Sequence, residues 1–148
     1  MHALSAFRAL LGWSCSCTHQ ALRPCSLISR RAFCLCRFKY IIIRLSDPVA
    51  TDGGRSKLLV RGDRHSGYHN DVLQRAKREV RMTPGCAGLA LEPLGGGRIE
   101  HLPGEGSVLV YGYSMAFGPA VHEVAVEIVR RAFPWYEADR VRAEYAGY

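Results

Sequence analysis

The chain has 148 residues, enough for one domain with its own core and too few for two full-sized ones. A hydrophobic share of 48% with 22% charged residues excludes collagen-like, low-complexity and wholly disordered chains. The formal net charge is +7, but it is unevenly spread, so a nucleic-acid reading from global basicity would rest on one segment.

That segment is residues 1–37, a basic, Cys-rich leader. It carries Arg8, Arg23, Arg30, Arg31 and Arg37 and no Asp or Glu, together with Cys15, Cys17, Cys25, Cys34 and Cys36. A composition of Arg, Ser, Ala and Leu without acids is that of a mitochondrial presequence. Arg8 interrupts the first apolar stretch, and no basic cluster precedes it, so a secretory signal fits less well. The cysteines form C-x-C pairs rather than the C-x-x-C knuckles of a structural zinc site. The leader therefore reads as disordered or targeting. The cytoplasm is the expected location, with the mitochondrion as the alternative if the leader is a presequence. No apolar run approaches the roughly 18 residues that a membrane-spanning helix needs.

Residues 38–148 read as a nearly neutral domain. Phe38 to Leu45 is β-branched and aromatic, the pattern of a strand buried on both faces. Ser46 to Arg55, with Pro48 and Gly53-Gly54, is a loop, and Lys57 to Arg61 a second short strand. From Tyr68 to Met82 apolar residues recur every fourth position (Tyr68, Val72, Ala76, Val80), which predicts a helix stopped by Thr83-Pro84-Gly85. Cys86 to Leu91 and Arg98 to Leu102 are strand candidates flanking Gly95-Gly96-Gly97. After the turn at Pro103 to Gly106, Ser107 to Tyr113 alternates as a strand. A second helix is expected from Pro119 to Phe133, with Val121, Val124, Ala125, Ile128, Val129 and Ala132 inward and Pro119 in the first turn. Trp135 to Arg142 completes the set as a closing strand. The fold class is α/β, a single mixed β-sheet of about five or six strands with two packed α-helices.

Three places carry candidate chemistry. His69 stands at the predicted start of the first helix, where the partial positive charge of the helix end disfavours imidazolium; a neutral imidazole can take a proton or attack an electrophile. A histidine at a helix start is also a common cap or surface residue. Tyr111 to Pro119 is a small-residue loop between strand and helix, able to turn several backbone N–H groups toward a phosphate. It contains neither a Walker nor a Rossmann fingerprint, so a plain connection is the competing reading. Lys39 interrupts an apolar strand, and its charge needs water or an anion, either at a sheet edge or at a ligand.

At these residues the chain resembles the janus / 14-kDa phosphohistidine phosphatase family. The resemblance runs through Phe38-Lys39-Tyr40-Ile41 to Arg44, Val60-Arg61-Gly62, Tyr68-His69 with Asp71, Leu94-Gly95-Gly96-Gly97-Arg98-Ile99 with His101, Val110 to Gly118-Pro119-Ala120 with His122, and Gly147-Tyr148. It implies a monomeric, cofactor-free hydrolase with no metal site, acting on phosphohistidine, and on phospholysine as a further substrate, in histidine-phosphorylated proteins. On that resemblance His69 is the catalytic residue, as base or nucleophile. Lys39 and the loop residues Ser114, Met115 and Ala116 bind the substrate, with Arg61, Arg98 and His122 in or near the pocket. A phosphoprotein-binding module without catalysis is the alternative. Three departures stand out: the basic leader replaces an acidic stretch, His65-Ser66-Gly67 replaces a bulkier one, and Phe117 stands where tyrosine is common.

Overall fold

The computed structural model describes residues 13–15, 36–49 and 56–145. Most of the leader, residues 50–55 of the predicted loop and the terminal Gly147-Tyr148 lie outside the described residues. The strands are β1 (Trp13–Cys15), β2 (Cys36–Ser46), β3 (Ser56–Asp63), β4 (Ala90–Leu102), β5 (Ser107–Tyr111) and β6 (Val141–Ala143); the helices are α1 (His69–Met82) and α2 (His122–Ala132). They build one six-stranded mixed sheet in the order β1-β3-β2-β4-β5-β6. Three residues of the leader thus form its first edge, parallel to β3.

β2 sits in the middle, antiparallel to both β3 and β4. Its continuous apolar run is what two covered faces require. Ile41, Ile43 and Leu45 join Leu59 of β3 and Val72, Leu73, Ala76 and Val80 of α1 in one core. Phe38, Tyr40 and Ile42 point the other way and meet Ala125, Val126 and Val129 of α2. The chain connects parallel strands through a helix twice, α1 between β3 and β4 and α2 between β5 and β6, and the two helices cover opposite faces. Burial of a Val or Leu side chain is worth about 1.5–3 kcal/mol, so each helix is held mainly by its apolar stripe.

Both helices differ from expectation at their starts. Tyr68 is the residue before α1, not part of its stripe, and is 76% exposed; His69 takes the first buried position. The Asp71 carboxylate accepts a hydrogen bond from the Tyr68 N–H at 2.9 Å and so fixes the start of the helix. α2 begins at His122 rather than Pro119, and Val121 is 62% exposed. His122 and Val126 occupy the buried face in place of Val121.

The largest difference lies in the glycines. Instead of two strands around a glycine loop, β4 is one continuous strand from Ala90 to Leu102 that runs through Gly95-Gly96-Gly97. The register against β2 slips between Ile42 and Ile43, opposite Gly95 and Pro93, leaving Leu94 as the extra residue of a bulge. Gly95 has φ +137, and a Cβ there would lie 2.4 Å from the Pro119 carbonyl oxygen. Close approach of neighbouring backbone, not turn formation, is what these glycines supply. β5 ends at Tyr111, not Tyr113, and the predicted closing strand shrinks to Val141–Ala143 after turns and a 3-10 segment at Ala138–Arg140.

His101 on β4 is buried under α2, its Nε2 2.9 Å from the Tyr136 hydroxyl and its ring 5.3 Å from that of Phe133. Its Nδ1 has no hydrogen-bond partner among the described residues. Burial pushes its pKa from 6.5 down to about 4, so the unfolded chain takes up a proton in a range where the folded one does not. Stability is therefore present above pH 6.5 and lost as pH falls toward 4, by about 3 kcal/mol from this residue. Thermal unfolding followed across that range should show the decline, and His101→Phe should shrink it.

Candidate active site

The face covered by α1 carries a row of polar side chains. Lys39 on β2 stands opposite Asp63 on β3 and Arg98 on β4, and Arg98 in turn stands opposite Tyr111 on β5. Residues directly opposite one another in antiparallel strands share a face, so the four form one line across the sheet. Lys39 is thus on the central strand, and the sheet-edge account of its charge does not apply. Its side chain is half-buried, at the end of the apolar run.

His69, the first residue of α1, lies over this line. Its ring packs on Gly96, where a Cβ would come within 3.1 Å of Cδ2. Its Nε2 is 2.9 Å from the Gly97 carbonyl oxygen. A carbonyl only accepts, so Nε2 carries the hydrogen and the lone pair is on Nδ1. Burial lowers the His69 pKa below 6.5; the Gly97 bond opposes this, and the charges of Lys39 and Arg98 reinforce it. The expected neutral imidazole is therefore produced chiefly by desolvation and neighbouring cations rather than by the helix end.

The loop after β5 closes on itself. The Ser114 N–H donates to the Gly118 carbonyl at 3.2 Å and the Gly118 N–H to the Ser114 carbonyl at 2.8 Å. The Phe117 N–H donates to Ser114 Oγ at 3.2 Å. Of the three expected phosphate-binding amides, Ser114 thus spends its own inside the loop. The amides of Met115 and Ala116, both exposed at the tip, have no partner among the described residues. Phe117 anchors the loop by packing into the α1-side core, and the Gly96 N–H donates to the Gly118 carbonyl at 3.1 Å. The loop is thereby fastened to the strand residue on which His69 rests. Three residues separate Gly118 from α2, so the loop does not run directly into a helix end as its sequence implies.

Arg61 and His122 are placed differently. Arg61 is buried on the α1 side, and its guanidinium is bidentate to Glu79 of α1, at 2.9 Å and 2.8 Å, with a further bond to the Val60 carbonyl. This pair ties the C-terminal part of α1 to the sheet. Glu79→Ala removes the carboxylate that is bidentate to this buried cation; because Glu79 is itself part-exposed, a loss of about 2 kcal/mol is expected, measurable by urea unfolding. His122 is on the opposite face of the sheet from His69, its Nδ1 2.5 Å from the Tyr40 hydroxyl.

Asp63 was not legible as a contributor. It is 3% exposed, accepts from the Ser66 hydroxyl at 2.6 Å, the His65 N–H at 3.3 Å and Arg75 at 2.8 Å, and so shapes the turn leading to His69. An Asp followed by a Ser three residues on was the available signal. Among the described residues no group of three His, Cys, Asp or Glu side chains is placed to hold a metal ion, and no helix is long and apolar enough to cross a membrane.

Residues 34–137 match the model of the Janus/Ocnus family. The chain is 38% identical to the 14 kDa phosphohistidine phosphatase of Sus scrofa over 101 residues, 67% of this chain and 77% of the relative. The Homo sapiens protein of the same name is 37% identical over 102 residues, 68% of this chain and 78% of that one. The sex-regulated protein janus-A of Drosophila pseudoobscura pseudoobscura is 38% identical over 103 residues, covering 69% and 66%. With the family match spanning well over half of its length, the chain belongs to the Janus/Ocnus family.

Proposed function

We propose that this protein hydrolyses the P–N bond of phosphohistidine in proteins, with His69 as the catalytic residue. The observation that carries this reading is a neutral imidazole, its lone pair on Nδ1, beside the Lys39 and Arg98 cations and resting on Gly96, the strand residue to which the loop that carries Met115 and Ala116 is fastened. The names of the relatives from Sus scrofa and Homo sapiens support it.

The chemistry asks for what the site contains. A phosphoramidate already has a good leaving group once its nitrogen is protonated, so positioning and charge stabilisation dominate. Lys39, Arg98 and the two loop amides would hold the phosphoryl oxygens as charge redistributes. His69 Nδ1 then acts by one of two routes. As base it takes a proton from the attacking water and delivers it to the departing imidazole nitrogen. As nucleophile it takes the phosphoryl group itself, which water removes in a second step. Both routes convert phosphohistidine and water into histidine and inorganic phosphate.

The test is phosphate release from a histidine-phosphorylated protein in the presence of EDTA, comparing the wild type with His69→Ala. Release that disappears in the variant at unchanged melting temperature supports the reading. Equal background rates in both would overturn it and leave an anion-binding module.

A further inference from the structure

The underside of the sheet holds a buried pair that the proposed chemistry does not use. Tyr40 and His122 are 0% and 1% exposed, and the phenol and the imidazole Nδ1 are 2.5 Å apart. Burial raises the Tyr40 pKa, so the phenol keeps its hydrogen and donates it to Nδ1. The other ring nitrogen of His122 is then the donor, and the ring's hydrogen bond to the main chain is with Gly112. Gly112 immediately precedes the Tyr113-Ser114 start of the loop and has φ 71, so its backbone sets the direction in which the loop leaves β5.

Tyr40 also reaches the other half of the site. A Cβ on Gly97 would lie 3.0 Å from Tyr40 Cε1 and 3.0 Å from the Gly112 carbonyl oxygen. Gly97 is the residue whose carbonyl orients His69. One buried phenol therefore presses from below on the residue that holds His69, and through His122 it reaches the root of the phosphate-side loop.

Resting on the phosphatase reading, we infer that Tyr40 and His122 are positioning residues that act through the sheet, setting the Gly97 carbonyl and the Gly112 backbone so that His69 and the loop amides face the same phosphoryl group. His122 thereby serves the site without touching substrate. Packing alone does not require this: the same core space would be filled by Phe at position 40, whereas a shared hydrogen bond ties the two halves to one geometry.

The experiment compares wild type, Tyr40→Phe, His122→Ala, the double variant, and Val129→Ala as a core control of similar destabilisation. Two readouts are taken on folded protein: titration with inorganic phosphate, followed at the Met115 and Ala116 amide resonances, and turnover of a histidine-phosphorylated protein. Tyr40→Phe and His122→Ala are each expected to weaken phosphate binding and slow turnover about tenfold, with the double variant little worse than either single one. Val129→Ala is expected to lower the melting temperature and leave both readouts at wild-type values. Phosphate affinity in Tyr40→Phe equal to wild type, or losses that are additive, or an equal loss in Val129→Ala, would overturn the inference whatever the turnover. Wild-type phosphate binding without any turnover would overturn the phosphatase reading instead, while coupled losses of binding would still support the pair.

Discussion

Replacing His69 by alanine is expected to reduce phosphate release from phosphohistidine by about a thousandfold or more, within the range set by removal of a positioned acid–base or nucleophilic group. On the proposed function the loss should fall on kcat, because Lys39, Arg98 and the loop amides would remain to hold the phosphoryl group. It should not be accompanied by unfolding. His69 gives up one hydrogen bond, to Gly97, and its ring is held neutral in a partly desolvated place. The same geometry sets the pH profile of the wild type. The His69 pKa lies below 6.5 because burial and two cations disfavour the charged ring, so kcat/KM should rise as pH increases through that lowered value and be flat at neutral pH. A profile still rising through pH 7 would mean that another group carries the step. Lys39→Ala would be expected to raise KM and shift the His69 transition upward, since one of the two repelling cations is gone.

The second large effect is on the fold. Gly95→Ala is expected to cost about 3 kcal/mol or more, lowering the melting temperature by about 10 °C or more. Two independent causes act together. Gly95 has φ +137, a conformation that L side chains rarely adopt, and the added Cβ would stand 2.4 Å, 2.8 Å and 2.9 Å from backbone atoms of Pro119 and Ala120. Backbone cannot yield as a side-chain end does, so the strand or the segment leading to α2 has to move. That segment is continuous with Gly118, whose carbonyl is bonded to Gly96. Phosphate affinity should therefore fall with stability. By contrast Gly88→Ala, where a Cβ meets nothing within 4 Å, should leave the melting temperature within about 1 °C of wild type. Differential scanning calorimetry of the two variants makes the comparison directly, and equal melting temperatures would refute the close-approach account of β4.

The features readable in the chain were those encoded by local pattern. The two-faced apolar run of β2, the stripe of Val72, Ala76 and Val80 on α1, and the Ala125 and Val129 positions of α2 follow from side-chain periodicity and from burial, which act within one element. The same locality explains the misplaced ends. Pro119 is an excellent first-turn residue, but a parallel bridge to Gly96 holds it against the sheet, and the helix waits until His122. Trp135 to Arg142 reads as a closing strand, yet among the described residues of that stretch the pairing begins only at Val141 and runs to Ala143, against β5.

What the sequence by itself determined is the existence and type of the main elements, the basic leader against a nearly neutral domain, and the identity of the chemically distinctive side chains. What only the tertiary structure decided is their relation. Strand order, the opposite faces taken by α1 and α2, and the register that sets Asp63, Lys39, Arg98 and Tyr111 in one row depend on pairings between residues far apart in the chain. A slip of one residue in any of those pairings would send every side chain to the other face. Gly95-Gly96-Gly97 shows the reason most sharply. Three successive glycines carry a local signature of a loop, but Tyr40, Tyr111 and Pro119 crowd their backbone from three sides, and only glycine can run as a strand in that space.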